Sequence, residues 1–251
     1  MIVRHSSSSR RFAEGIRLDV SQVYGIVRQS HTLQICRQGF TGALLGERPT
    51  LPDQAITHLP RAELPANTRA LARFLLGKLI IRSLPEGEIS GRIVETEAYL
   101  VGDAASHAFR GKTVRNQSMF LERGHAYIYL AYGTSLMLNV SSQEAGVGEA
   151  VLIRALQPVN GLALMEHHRG TTHLRDLARG PGRLAQALRI DRSLDGADLC
   201  SSPDIWLGAD GFVAGDIGAS VRIGITRDAD RLLRFYLRDS PFISGPRGLN
   251  L

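Results

Sequence analysis

Lysine is nearly missing from this chain of 251 residues: Lys78 and Lys112 are the only two among 30 basic side chains, so the formal net charge of +6 is an arginine charge. Cysteine is as scarce. Cys36 and Cys200 lie far apart and fit no metal or redox spacing, which excludes a disulfide framework and points to a reducing compartment. No apolar run approaches the length of a membrane span, and the N-terminus lacks the hydrophobic segment of a secretory signal, so a cytoplasmic protein is expected. Internal repeats are absent, and Ser6–Ser9 is the only low-complexity tract.

What is present reads as one folded domain behind an atypical start. Hydrophobic residues make up 43% of the chain, an ordinary share for a globular protein with a sizeable core. The arginine excess suits a phosphate-rich partner, although genomic composition bias would produce the same excess. Residues 1–50 hold seven arginines against three acids and show no sustained apolar period. They read as a poorly ordered N-terminal extension in preference to an organelle transit peptide, and the folded domain is expected over residues 59–246.

Within that domain, Asn67 or Thr68 is placed to cap a helix carrying Leu71, Phe74 and Leu75 at i, i+3, i+4, with Gly77 at its end. Strands are predicted at Lys78–Ser83 and Gly91–Tyr99, a hairpin over Ala126–Ser142, and a further strand, AVLIRAL, before Pro158. Gly161–His168 and Ala178–Ile190 read as helices. IWLG, SVRIGIT and LLRFYLR read as strands. Successive strands with few interposed helices predict an α+β fold: a single domain around a curved, mainly antiparallel β-sheet with flanking helices.

The segment GRIVETEAYLVGDAASH (residues 91–107) is the centre of the functional reading. Period-two alternation puts Glu95, Glu97 and Tyr99 on one strand face, with His107 shortly after. A carboxylate beside an aromatic ring and an imidazole can activate water next to something flat, such as a nucleobase. Taken alone, the stretch reads more readily as a solvated strand end with a chance histidine. Tyr127 and Tyr129 share a strand face and have a core reading, whereas Tyr132 falls at a hairpin tip with little to pack on. Asn139 is polar among strand apolars, equally well a satisfied core amide. Arg154 stands inside an apolar strand and needs an anionic partner, for which Glu97 is the obvious candidate. His125 reads as a surface turn residue. His167–His168 lack ligand spacing, so neither a metal nor any cofactor is expected.

The stretches GRIVETEAYL, DAASHAFRGKTVRN, YIYLAYGTSLMLNVSS, VLIRALQP, ARGPGRLAQALRI and LRFYLRDSPFIS come in a specific order and spacing. From about Leu71 to Ser244 the chain thereby resembles the 3-methyladenine (alkyladenine) DNA glycosylases of the type lacking a helix-hairpin-helix. The resemblance implies that Glu97 is the general base that deprotonates a water for attack at the sugar C1′. Arg154 and the backbone carbonyl of Ile223 match groups that help hold that water. Tyr99, His107 and Tyr129 match the walls of the flipped-base pocket, and Asn139 the residue that crowds the 2-amino group of normal guanine. Tyr132 matches the side chain inserted into the duplex from a β-hairpin. Arg115, Met119 and Arg183 match positions near or on the DNA backbone.

The implied activity is base excision on double-stranded DNA containing damaged purines: an N-glycosidic bond hydrolysed by a Glu-activated water, leaving an abasic site. With no lysine among the residues matched to the pocket, a monofunctional hydrolase is expected. A monomer with no obligate protein partner and no membrane contact is implied, associated with the nucleoid if the source is bacterial. Two rivals come from other classes. A non-catalytic nucleic-acid-binding module would have no use for a water-activating carboxylate facing a phosphate-bearing ligand. A glycosidase acting on free nucleosides would need neither an exposed Tyr132 nor a basic face.

Overall fold

The structure is a computed structural model that describes residues 55–250; the expected N-terminal extension and Cys36 lie outside these. A short strand β1 (Thr57–His58) leads to helix α1 (Thr68–Phe74), where the Asn67 side chain accepts a hydrogen bond from the Ala70 N–H at 3.0 Å. Strands β2 (Leu79–Leu84) and β3 (Gly87–Tyr99) form the expected hairpin, with β3 beginning four residues before Gly91. The long hairpin is β4 (Ala126–Ala131) and β5 (Ser135–Ser141). Its tip has Tyr132 at φ 51° and Gly133 at φ 70°. Two consecutive left-handed residues match the twist of a tight hairpin, but the conformation is costly for a tyrosine.

Strand β6 (Ala150–Asn160) runs on through Pro158, which sits at a register shift in the pairing with β3, between Ser90 and Gly91. There the missing proline N–H is tolerated. Helices α2 (Leu162–Arg169) and α3 (Pro181–Ala187) follow, then β7 (Ile205–Ala209), β8 (Ile217–Ser220) and β9 (Arg234–Leu237). Helix α3 is shorter than the Ala178–Ile190 expectation because Pro181 sets its first turn and Arg189 turns to a positive φ beyond its end. The SVRIGIT expectation fails. The strand lies upstream at β8, and residues 221–226 form an irregular loop in which Gly224 has φ 77°.

The nine strands of the described residues join one antiparallel sheet in the order β1-β7-β2-β3-β6-β5-β4, with β9 pairing β3 and β8 pairing β9. The fold is α+β, as the alternation of apolar residues predicts. Strand β3 is its axis. Along one edge it pairs with β6; along the other it pairs with β2 over its first half and with β9 at Glu95–Glu97. Register shifts at Ile93/Glu95 and Glu95/Thr96 bend the strand at this fork, a distortion that re-aims side chains.

Helix α1 packs on β3 and β6, α2 on β3, and α3 on β5 and β6. Leu71, Leu75, Met165, Leu184 and Leu188 join Ile80, Ile93 and Ile153 in the main core. Each such side chain contributes about 1.5–3 kcal/mol by leaving water. A second, smaller cluster of Met119, Tyr127 and Ala150, flanked by Tyr99, Phe120 and Tyr129, lies apart from it.

Candidate active site

That second cluster borders a cavity of about 460 Å³. Tyr127 and Tyr129 alternate onto its wall from β4, Asn139 from β5, Leu152 and Arg154 from β6, while Ile223, Gly224 and Ile225 close it from the irregular loop. Nearly all the expected site residues meet here. Tyr99, His107, Arg115, Met119, Tyr129, Tyr132, Asn139, Arg154 and Ile223 line the cavity, whereas Arg183 does not.

Glu97 has no exposed surface and sits directly behind that lining. Its carboxylate is held by three lining groups: the Ile223 N–H donates to Oε1 at 2.8 Å, the Tyr99 hydroxyl donates to Oε2 at 2.9 Å, and an Arg154 terminal nitrogen lies 3.2 Å from Oε2. The contact from Ile223 is therefore its N–H to the glutamate, where the resemblance implies a carbonyl directed at water. Strand alternation brings Glu97 and Tyr99 to one side, and β6 supplies the arginine across the ladder. Burial, then the negative charge of Glu97, pushes the Tyr99 hydroxyl well above its ordinary range, so it remains a donor.

Arg154 has two carboxylate partners where one was expected. Its Nε donates to Glu95 Oε1 at 2.9 Å while its terminal nitrogen reaches Glu97. Burial disfavours the guanidinium charge, but Glu97 and Glu95 outweigh it and hold Arg154 more firmly protonated than usual. Glu95 is saturated by Arg154, by Arg234 Nε at 2.7 Å and by the N–H and hydroxyl of Ser244. Burial works against its ionisation too, yet the charges of Arg154 and Arg234 keep its carboxyl below the ordinary 4.5.

The aromatic side of the cavity is a polar-edged stack. The His107 ring meets Tyr129 edge-on, centroids 4.3 Å apart at 73°, and His107 Nδ1 lies 2.8 Å from the Tyr127 hydroxyl. Desolvation against the tyrosines, and then the charge of Arg115, lower the His107 pKa from its ordinary value, which favours the neutral imidazole. Burial, with the Glu97 charge second, pushes the Tyr129 phenol up to about 12. Asn139 is buried and donates to the Tyr127 carbonyl at 3.0 Å, which satisfies the core-amide reading while leaving the residue in the cavity wall.

At the mouth, Tyr132 is 85% exposed, with only its hydroxyl tethered to the Gly224 carbonyl at 3.3 Å. Phe109, Val114 and Leu130 are exposed nearby in sequence, interleaved with exposed Arg110, Lys112 and Arg115. Arg183 is exposed and paired with Asp176 at 2.7 Å. Met119, at 2% exposure, is a buried residue of the cavity wall. His125 directly follows a turn at residues 123–124 and is half-buried, its Nδ1 near the Glu122 carbonyl.

Three functional-looking features escape sequence reasoning. Arg234 is fully buried on β9, and its signal, an arginine inside the apolar run LLRFYL, is the one that drew attention to Arg154. Tyr127 had a core reading; it is 2% exposed and lines the cavity as well. The ion pair of Asp103 with Arg222 joins two loops far apart in sequence, and no local pattern announces it. Among the described residues, no three His, Cys, Asp or Glu side chains stand close enough to hold a metal, and no helix is long and apolar enough to cross a membrane.

Comparison with known proteins gives the same reading from another direction. Residues 62–241 match the family described as methylpurine-DNA glycosylase. A protein of Mesorhizobium japonicum, named as a 3-methyladenine DNA glycosylase, is 66% identical over 191 residues, covering 76% of this chain and 92% of its own. A protein of the same name from Paraburkholderia phytofirmans is 50% identical over 194 residues, 77% of this chain and 91% of the relative. Another from Methanoculleus marisnigri is 46% identical over 189 residues, 74% and 98%. The matched region spans β2 to β9 and every lining residue of the cavity, so this chain belongs to the methylpurine-DNA glycosylase family.

Proposed function

We propose that this DNA glycosylase extrudes alkylated or deaminated purines, of the 3-methyladenine, 7-methylguanine, hypoxanthine and ethenoadenine class, and hydrolyses their N-glycosidic bond with water directed by Glu97. The observation that carries the reading is a buried carboxylate, clamped by Tyr99, Arg154 and Ile223, behind an aromatic cavity of about 460 Å³. A purine occupies such a space between Tyr127, Tyr129 and His107, whose faces attract the electron-poor ring of an alkylated base. Flipping costs a few kcal/mol, and Tyr132 at the hairpin tip fills the vacated stack.

The sugar passes through an oxocarbenium-like state as the bond from C1′ to the base nitrogen breaks and the electron pair leaves with the base. Glu97 stabilises the developing positive charge and takes a proton from water as its oxygen bonds to C1′. Arg154 fixes the carboxylate, and the products are free base and an abasic site. Neither lysine lines the cavity, which supports hydrolysis without a covalent amine intermediate. The exposed basic and apolar rim favours duplex DNA over free nucleosides as substrate.

Single-turnover excision from duplexes carrying one hypoxanthine, and separately from alkylated DNA, tests this with wild type beside Glu97→Gln. Release by wild type, lost in the variant while damaged-duplex binding persists, is the expected outcome. Binding without release by wild type on both substrates would instead leave a non-catalytic binding module.

A further inference from the structure

Glu95 lies two residues from Glu97, fully buried, and of its four hydrogen bonds one comes from Arg154 in the cavity lining and three from Arg234 and Ser244 outside it. A carboxylate costs several kcal/mol to bury even when paired, so its place beside a reacting carboxylate calls for a reason. Two glutamates would repel one another were Arg154 alone between them. Arg234 supplies the second positive charge, giving a cluster of two carboxylates and two guanidiniums with 0 to 6% exposure.

The order of bonds has a direction. Arg234 gives one terminal N–H to the Ser220 hydroxyl of β8 at 2.8 Å and the others to the segment after β9: the Ser244 and Leu249 carbonyls, at 3.0 Å each, and Asn250 Oδ1 at 2.7 Å. Ser244 in turn gives its N–H and hydroxyl to Glu95 and lies 3.3 Å from an Arg154 terminal nitrogen. Glu95 grips Arg154 at Nε, and a planar guanidinium held at Nε has its terminal nitrogen fixed in direction, here onto Glu97. The segment 244–250 lies beyond residues 62–241, the part matched to the family.

We propose that Glu95 is a positioning residue, locked by Arg234 and the C-terminal segment Ser244–Asn250, that aims Arg154 at Glu97 and sets the charge balance under which Glu97 acts as base. This rests on the Glu97 reading above. The groups facing Glu97 are Glu95 and Tyr99 from β3, Arg154 from β6, Tyr129 from β4, Arg234 from β9, and Arg222, already paired with Asp103, from the loop before β9.

The test measures single-turnover excision of hypoxanthine against pH for wild type, Glu95→Gln, Arg234→Met and Ser244→Ala, with binding to a duplex bearing a tetrahydrofuran abasic analogue. Misaiming Arg154 should slow excision by about 100-fold in Glu95→Gln, while affinity for the abasic duplex stays within about three-fold. The acid limb should move in opposite senses: down by about one pH unit in Glu95→Gln, which leaves two guanidiniums for one carboxylate, and up in Arg234→Met, which leaves one for two. Ser244→Ala keeps the main-chain N–H to Glu95 and should slow excision about ten-fold; it carries the test alone should the charge variants not fold. Folded variants with wild-type rate and acid limb would overturn the positioning role. Absence of release by wild type itself would overturn the proposed function, and this inference with it.

Discussion

The floor and the rim of the cavity both contain buried ion pairs, but they are built from different material. The floor, Glu95, Glu97, Arg154 and Arg234, stands on β3, β6 and β9, where the strand ladder fixes each Cα against its neighbour. The rim is made of loops and a hairpin tip. There Arg222 is bound bidentately by Asp103 and reaches the Ala98 and Asp228 carbonyls, while Asp228 accepts from the Ala104 N–H. This clip joins the loop leading to His107 with the loop carrying Ile223. The difference teaches where each function is invested: atoms that must be held to fractions of an ångström sit on paired strands, and surfaces that must accept a large partner sit on segments held by a few ion pairs.

Removing charge from the floor should have the largest effect. Arg154→Met leaves Glu95 with Arg234 and Glu97 with no guanidinium partner, and breaking a buried pair on one side costs about 3–5 kcal/mol. Excision should fall by about 1000-fold as well, since the base loses its orientation. Calorimetric melting and single-turnover kinetics read the two effects. A folded variant with near wild-type rate would show that the floor needs no arginine.

Asp103→Asn tests the rim in the same terms. It strands Arg222 without its carboxylate and should destabilise by about 3 kcal/mol, with a smaller loss of rate than any floor variant. Burial opposes ionisation of Asp103, yet its bonds from Arg222 and the Ala105 N–H keep its folded pKa below the ordinary 3.8. A depressed carboxyl contributes stability that is complete above its unfolded value and lost as pH falls through the folded one. The stability gap between wild type and Asp103→Asn should therefore be constant from pH 7 to about 5 and close below about 4. A gap unchanged at pH 3 would remove Asp103 from the acid sensitivity of the fold.

Tyr132→Ala removes the most exposed aromatic of the rim without touching either ion cluster. Affinity for a damaged duplex should weaken by about 1–3 kcal/mol, the usual worth of a stacked aromatic, with melting temperature nearly unchanged because the exposed ring packs on little and alanine keeps the same left-handed backbone. Equal affinity would mean that the hairpin tip stays outside the stack. The smallest effect belongs to Arg183→Ala. Its pairing with Asp176 is exposed and worth less than about 1 kcal/mol, so stability should not change. The slope of log affinity against log salt should fall by about one, the loss of a single phosphate contact.

The line between floor and rim is also the line between what could and could not be read in the chain. The sheet, its hairpins and three helices follow from apolar periodicity and caps such as Asn67, and Glu97, Arg154 and Tyr132 stand out through residue types that conflict with their local pattern. The irregular loop at 221–226 has the alternation of a strand, and periodicity reports a face to bury without knowing what stands opposite. Opposite it are Asp103 and Glu97, which draw Arg222 and the Ile223 N–H inward and break the ladder.

By itself, then, the sequence determined the α+β class, the β3 carboxylates and the exposed aromatic at the hairpin tip, because these depend on contacts within a few residues and on strand alternation. Only the tertiary structure decided that Arg154 would serve two glutamates, that Arg234 and Ser244 would lock one of them, and that Met119 would be buried in the cavity wall. Each of those outcomes depends on which charge or apolar surface meets another across dozens of residues. That encounter is set by the fork of β3 between β2 and β9, a property of the folded sheet and of no local stretch.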